Sequence, residues 1–195
     1  MRSILIILIV IGLLNSAGAQ DFANSAQTAK QSYSSGNLEN TRFALQQMLQ
    51  SIDLVSAKEV LKVLPETFGA MSAQSAADQI SLGTGFAGVV IHREYLSGDK
   101  TASMEIISNS PLISSLNAML AMPFIGAGNN GERMVIKIDG YKALIQKGLE
   151  DQKVTYDVQI PLGSTLITLK TENFTDDIQK LVSAIPVAKV SQTLN

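Results

Sequence analysis

Between Val89 and Lys170 most segments repeat with a period of two, in short runs broken by turn signals, and this pattern constrains the fold more than any other feature. Successive side chains of a strand point to opposite faces, so a period of two marks a sheet whose faces differ. Val89, Ile91, Arg93 and Tyr95 alternate with Val90, His92 and Glu94. Ser97-Gly98-Asp99-Lys100 reads as a turn, with Ala102, Met104 and Ile106 on the return strand, which predicts a hairpin. Met134–Ile138, Tyr141–Lys147, Val154–Ile160 and Thr165–Lys170 predict four further strands. Asp139-Gly140 and Leu162-Gly163-Ser164 supply hairpin turns between them.

Helical periodicity flanks these strands. Ser110-Pro111 predicts a helix start, with Leu112, Leu116, Met119 and Leu120 on the buried side and Pro123 at the end. Thr175 is the expected cap of a second helix, with Asp176 and Asp177 in its first turn and Ile178, Leu181, Val182 and Ile185 as its apolar stripe. Upstream, Phe22, Ala26, Ala29 and Tyr33 recur at helical spacing, and Ser34-Ser35-Gly36-Asn37 interrupts them. A second helix is expected over Leu38–Ile52, with Leu38, Thr41, Leu45, Met48, Leu49 and Ile52 on one stripe. A third is expected over Val55–Leu64, closed by Pro65.

Hairpin-linked strands with segregated helices predict an α+β fold with an antiparallel sheet of about six strands flanked by helices. An N-terminal helical hairpin precedes it. The expected organisation is a leader over 1–19, N-terminal helices over 20–65, a linker over 66–85, the sheet domain over 86–186 and a frayed tail over 187–195. Ala, Ser and Gln between Met71 and Gln79, followed by Gly83-Thr84-Gly85, suggest the linker.

The leader is read from its layout. One basic residue, Arg2, precedes an unbroken apolar run from Ile4 to Leu14, and Ala17-Gly18-Ala19 forms a small-x-small site ahead of Gln20. A basic start, an apolar core of roughly 7–15 residues and an A-x-A site make a secretory signal peptide. The expectation is therefore an exported chain cleaved between Ala19 and Gln20, periplasmic rather than extracellular. The run is too short for a membrane span of about 20 residues, and no later run approaches that length, so no span is expected in the mature form. A formal net charge of −2 at pH 7 argues against a nucleic-acid partner, which would call for a basic stripe. The chain has no cysteine, which excludes disulfides, a thiol nucleophile and thiolate metal sites.

Few residues offer chemistry. Gly126-Ala127-Gly128-Asn129-Asn130-Gly131 matches G-x-G-x-x-G, but a dinucleotide fingerprint needs a strand before it and a helix after it. Here a helix precedes and a strand follows, so no cofactor is expected. His92 is the single histidine, with no G-x-S-x-G elbow to partner it and too few ligands for zinc. No catalytic residue and no metal site is assigned, and the chain is expected not to be an enzyme. His92, Arg93, Glu94 and Tyr95 form the one candidate polar ligand patch, with a solvated sheet face as the competing reading. Met104, Met119, Met122 and Met134 could line an adaptable apolar pocket or simply fill the core.

Three resemblances bear on the fold. Ala29-x3-Tyr33-x2-Gly36-Asn37-Leu38-Glu39, followed by Ala44-Leu45, resembles one tetratricopeptide-type helical hairpin. Val89-Val90-Ile91-His92-Arg93-Glu94-Tyr95, the Gly98-Asp99 turn, Met104-Glu105-Ile106-Ile107, Asn109-Ser110-Pro111-Leu112-Ile113 and Ile138-Asp139-Gly140-Tyr141-Lys142-Ala143 resemble an uncharacterised family of exported bacterial proteins. That resemblance covers about residues 55–185 and implies no activity. The order of strands and helices is also similar to PsbP-like α-β-α sandwiches, a likeness of fold that implies no function. The functional expectation is a non-catalytic protein-interaction module of the cell envelope whose partner is another envelope protein. The alternative is a periplasmic carrier of a small apolar ligand or lipid.

Overall fold

A computed structural model describes residues 16–83, 88–122 and 132–194. The leader's apolar run, the 84–85 end of the expected linker and the glycine-rich loop all fall outside the described residues. The chain divides into two compact units between Val55 and Ser56.

The first unit is a pair of helices, α1 (Ser16–Ser34) and the larger part of α2 (Leu38–Val63). Gly36 turns the chain between them at φ 76°, a conformation glycine adopts without a Cβ penalty. Asn37 starts α2 by accepting from the Asn40 N–H at 3.0 Å. The seam between the helices is built from small side chains. Ser25, Ala29 and Ser32 of α1 are buried, as are Thr41 and Ala44 of α2. Ser25 Oγ donates to Gln47 Oε1 at 3.3 Å, and Asn40 Nδ2 donates to Ser32 Oγ at 2.6 Å. Small residues let backbones approach closely, which leaves the large ones outside. The expected stripe on α2 therefore splits: Thr41 enters the seam, whereas Leu38, Leu45, Leu49 and Ile52 are exposed. The expected second and third helices are one, because nothing between Ile52 and Val55 breaks a helix.

The second unit is built on one antiparallel sheet of nine strands, not about six. Its strands are β1 (Thr67–Phe68), β2 (Met71–Ala73), β3 (Gln79–Leu82), β4 (Val89–Ser97), β5 (Lys100–Ile107), β6 (Arg133–Ile138), β7 (Tyr141–Glu150), β8 (Lys153–Leu162) and β9 (Thr165–Glu172). The order is β1-β2-β4-β5-β9-β8-β7-β6, and β3 also pairs with β4. The three extra strands lie in the stretch expected to be a linker. β3 pairs with the first half of β4 and β2 with its end, so both line the same edge of one long strand. Asp139-Gly140 and Asp151-Gln152 turn the chain at positive φ on both residues, the conformation that matches strand twist in two-residue hairpins.

Three helices complete this unit: α3 (Ile113–Ala121), α4 (Ile178–Val182) and α5 (Val187–Leu194). The register fixes two faces. Arg93, Met104, Leu169, Val158, Ile145 and Met134 stand side by side across six strands on an inner face. Arg93 of that row bonds the carbonyl of Leu64 at the end of α2, and Gln179 of α4 reaches Met134 Sδ at 3.6 Å, so segments outside the sheet cover this face. On the outer face α3 covers one end, where Leu116 and Leu120 pack on Leu144 and Leu166. Two helix starts differ from expectation. Asp177, not Thr175, caps α4, accepting from the Gln179 and Lys180 N–H groups. α3 begins at Ile113, with Ser110 Oγ accepting from Leu112 N–H at 3.4 Å just before it. The expected frayed tail is α5, held by buried Val187 and Val190.

Candidate functional site

Strand alternation separates the four residues of the expected polar patch. His92 and Glu94 stand on the outer face, with His92 Nε2 3.3 Å from Glu94 Oε1. Arg93 and Tyr95 stand on the inner face at 3% and 0% exposure. The four do not form one surface.

Arg93 is the centre of a buried polar clamp. Its Nε donates to Asp78 Oδ1 at 2.9 Å, its second terminal nitrogen donates to Asp78 Oδ2, and its first donates to the Leu64 carbonyl at 3.2 Å. This two-pronged contact is the strong form of an arginine–carboxylate pair. Hydrogen bonding to Asp78 raises the Arg93 pKa above its ordinary value, against the opposing pull of burial. The clamp ties the end of α2 and the start of β3 to the middle of β4. Beside it the Tyr95 ring packs against Phe68 with centroids 5.2 Å apart. The Tyr95 hydroxyl is buried without a hydrogen-bond partner, and burial pushes the phenol up to about 12, with the Arg93 charge acting in the other direction. These groups hold the fold, and nothing about them presents a reactive atom to solvent.

The open part of the outer face is different in character. Glu94, Ser103, Lys170, Asp157 and Gln146 stand opposite one another across five strands. His92, Glu105, Thr168 and Gln159 form the adjacent row, which ends on buried Leu144. This is a polar surface displayed on a rigid support. Two of its members, Asp157 and Lys170, escape reading by residue type. Their pairing is written in the tight turn, because fixing Leu162 opposite Thr165 places Asp157 opposite Lys170. Asp78 carries no comparable signal, since its partner lies fifteen residues along the chain.

The third candidate surface belongs to the helical pair. Leu38, Leu45 and Ile52 repeat every seven residues along α2, Leu49 lies among them, and all four are exposed. The expected cleavage bond, Ala19–Gln20, lies within α1 (Ser16–Ser34). Among the described residues no group of three or more His, Cys, Asp or Glu is placed to hold a metal ion, and no helix is long and apolar enough to cross a membrane. The candidate methionines do not converge: Met104 is buried in the sheet, Met119 packs at α3 and Met122 is exposed.

Fold and surfaces together define an α+β protein: a broad antiparallel sheet with one polar face, and a helical pair with an apolar flank. Compared with known proteins, the chain matches no family model, no curated protein and no solved structure.

Proposed function

We propose that this chain is an exported, non-catalytic envelope protein that binds another envelope protein through the flank of α2 bearing Leu38, Leu45, Leu49 and Ile52. One observation carries the reading: in this helical pair small side chains are buried and large apolar ones are exposed. Burying a leucine or isoleucine contributes about 1.5–3 kcal/mol, so a row of four left in water is a strong incentive to associate. Export, to the periplasm rather than beyond it, rests on the basic start, apolar run and Ala17-Gly18-Ala19 site of the leader. The resemblance to a family of exported bacterial proteins supports the same address. The alternative, a carrier of a small apolar ligand, draws no support from the scattered methionines.

Photo-crosslinking in intact cells tests the reading. A benzophenone side chain at Leu45 or Leu49 is expected to give a discrete adduct with one envelope protein, and the same probe at exposed Lys189 of α5 is expected to give none. Equal labelling from all three positions, or no adduct from α2, would overturn it.

A further inference from the structure

Where β7, β8 and β9 run side by side beyond the cover of α3, the outer face sinks into a cleft of ≈ 360 Å³. Gln146 and Gly148 of β7, Thr155 and Asp157 of β8, and Lys170 and Glu172 of β9 line it. Gly148 helps keep it open, because a Cβ there would stand 2.8 Å from Thr155 Oγ1. In the cleft Asp157 Oδ1 is shielded from solvent and accepts no hydrogen bond. A buried polar atom without a partner is costly, and more so on a charged group. The register sets Lys170 directly opposite Asp157, yet among the described residues neither enters an ion pair.

The unmet acceptor calls for a donor, and the charge around it says of which sign. Around the cleft Asp157, Glu150 and Glu172 stand against Lys170 and Lys147, and the adjoining smaller cleft adds one charge of each sign, Asp151 and Lys153, so the balance stays acidic by one charge. A metal is disfavoured, since no three His, Cys, Asp or Glu among the described residues are grouped to hold one. We propose that this cleft binds an alkylammonium group, with Asp157 as the principal acceptor, Gln146 and Thr155 as neutral acceptors beside it, and Glu150 and Glu172 as the acidic rim. Lys170, set directly opposite Asp157 by the register, is the cation that competes with an incoming amine. The inference stands independently of partner binding by α2. The group can arrive on a free diamine or on the lysine side chain of a peptide, and the two share the same chemistry.

Titration calorimetry on the full protein at low ionic strength tests it, with 1,4-diaminobutane and Nα-acetyl-lysine amide as probes and 1,4-butanediol as the uncharged control. At least one amine is expected to bind saturably at one site and butanediol not at all, and the better amine identifies the source. Asp157→Asn, which keeps shape and removes charge, is expected to weaken binding at least tenfold. Lys170→Met is expected to tighten it several-fold, an outcome that a merely structural role of Lys170 would not give. Amide shifts in the unmodified protein should cluster at residues 146–148, 155–157 and 170–172, a readout that survives even if a variant fails to fold. Absence of binding by both amines, unchanged affinity in Asp157→Asn, or shifts centred elsewhere would overturn the proposal.

Discussion

Tyr95 shows how much of a residue's behaviour comes from its setting. Its phenol is fully buried and its pKa is raised from 10.0 to about 12, so the folded chain keeps the proton where an unfolded one gives it up. Between those values the folded state binds more protons than the unfolded state, so stability is complete below about pH 10 and declines as pH rises towards 12. Replacing Tyr95 with Phe removes that decline together with an unpaired buried hydroxyl. The variant is expected to match or exceed the parent at pH 8 in urea unfolding, and its advantage is expected to grow by on the order of 1–2 kcal/mol by pH 11.5. A constant difference across that range would contradict this cause. At this scale the sequence is only partly legible. Alternation placed Arg93 and Tyr95 on one face and His92 and Glu94 on the other. Which face is buried depends on Leu64, Phe68 and Asp78, which lie in segments whose course no local pattern reveals.

At the scale of elements, the Arg93–Asp78 clamp explains how a stretch rich in Ala, Ser and Gln becomes part of a sheet. The short strands β1 and β2 bury one large side chain each, Phe68 and Met71, and β3 has no fully buried residue. β2 and β3 pair with β4 and β1 with β2, and the Arg93–Asp78 contact, whose side chains are only 4% and 12% exposed, ties the start of β3 to β4. Removing one partner of a buried pair strands the other, so Asp78→Ala is expected to cost about 3–5 kcal/mol in chemical unfolding. The double variant Asp78→Ala with Arg93→Met should lose clearly less than Asp78→Ala alone. Equal losses would mean that the clamp does not hold the segment. Burial alternates along β4, β5 and the second halves of β8 and β9, which makes those strands legible, while β6 and β7 lack that alternation and are marked by the turn at Gly140. β1, β2 and β3 were not legible, because their stability lies in contacts distant along the chain. The single long α2 has two apolar stripes in its sequence for a related reason: its buried side changes along its length, from Thr41 and Ala44 to Ala57 and Val60.

For the molecule as a whole, the contrast between the two units predicts unequal stability. The sheet unit buries Tyr95, Phe68, Ile91, Met104, Ile160 and Ile167 completely, whereas the seam of the helical pair is made of serine, threonine and alanine. Apolar burial scales with side-chain size, so the pair has far less to hold it. Hydrogen exchange is expected to show low protection over residues 20–55 and the highest over β5, β8 and β9. Uniform protection along the chain would refute this. The α+β class and the hairpin order were visible from turn chemistry and periodicity, while the width of the sheet was not. One consequence follows from the strand order itself. Among the described residues β6 ends the sheet, paired on one side with β7, and no described strand pairs with its other side, where backbone donors and acceptors can meet another strand. Arg133 and Lys137 lie along this strand, and two such strands brought edge to edge would set like charges close together. That repulsion is a guard against aggregation, and it weakens as salt rises. The guard rests on two side chains, so replacing both Arg133 and Lys137 with uncharged residues would leave this edge open to pairing at any salt concentration.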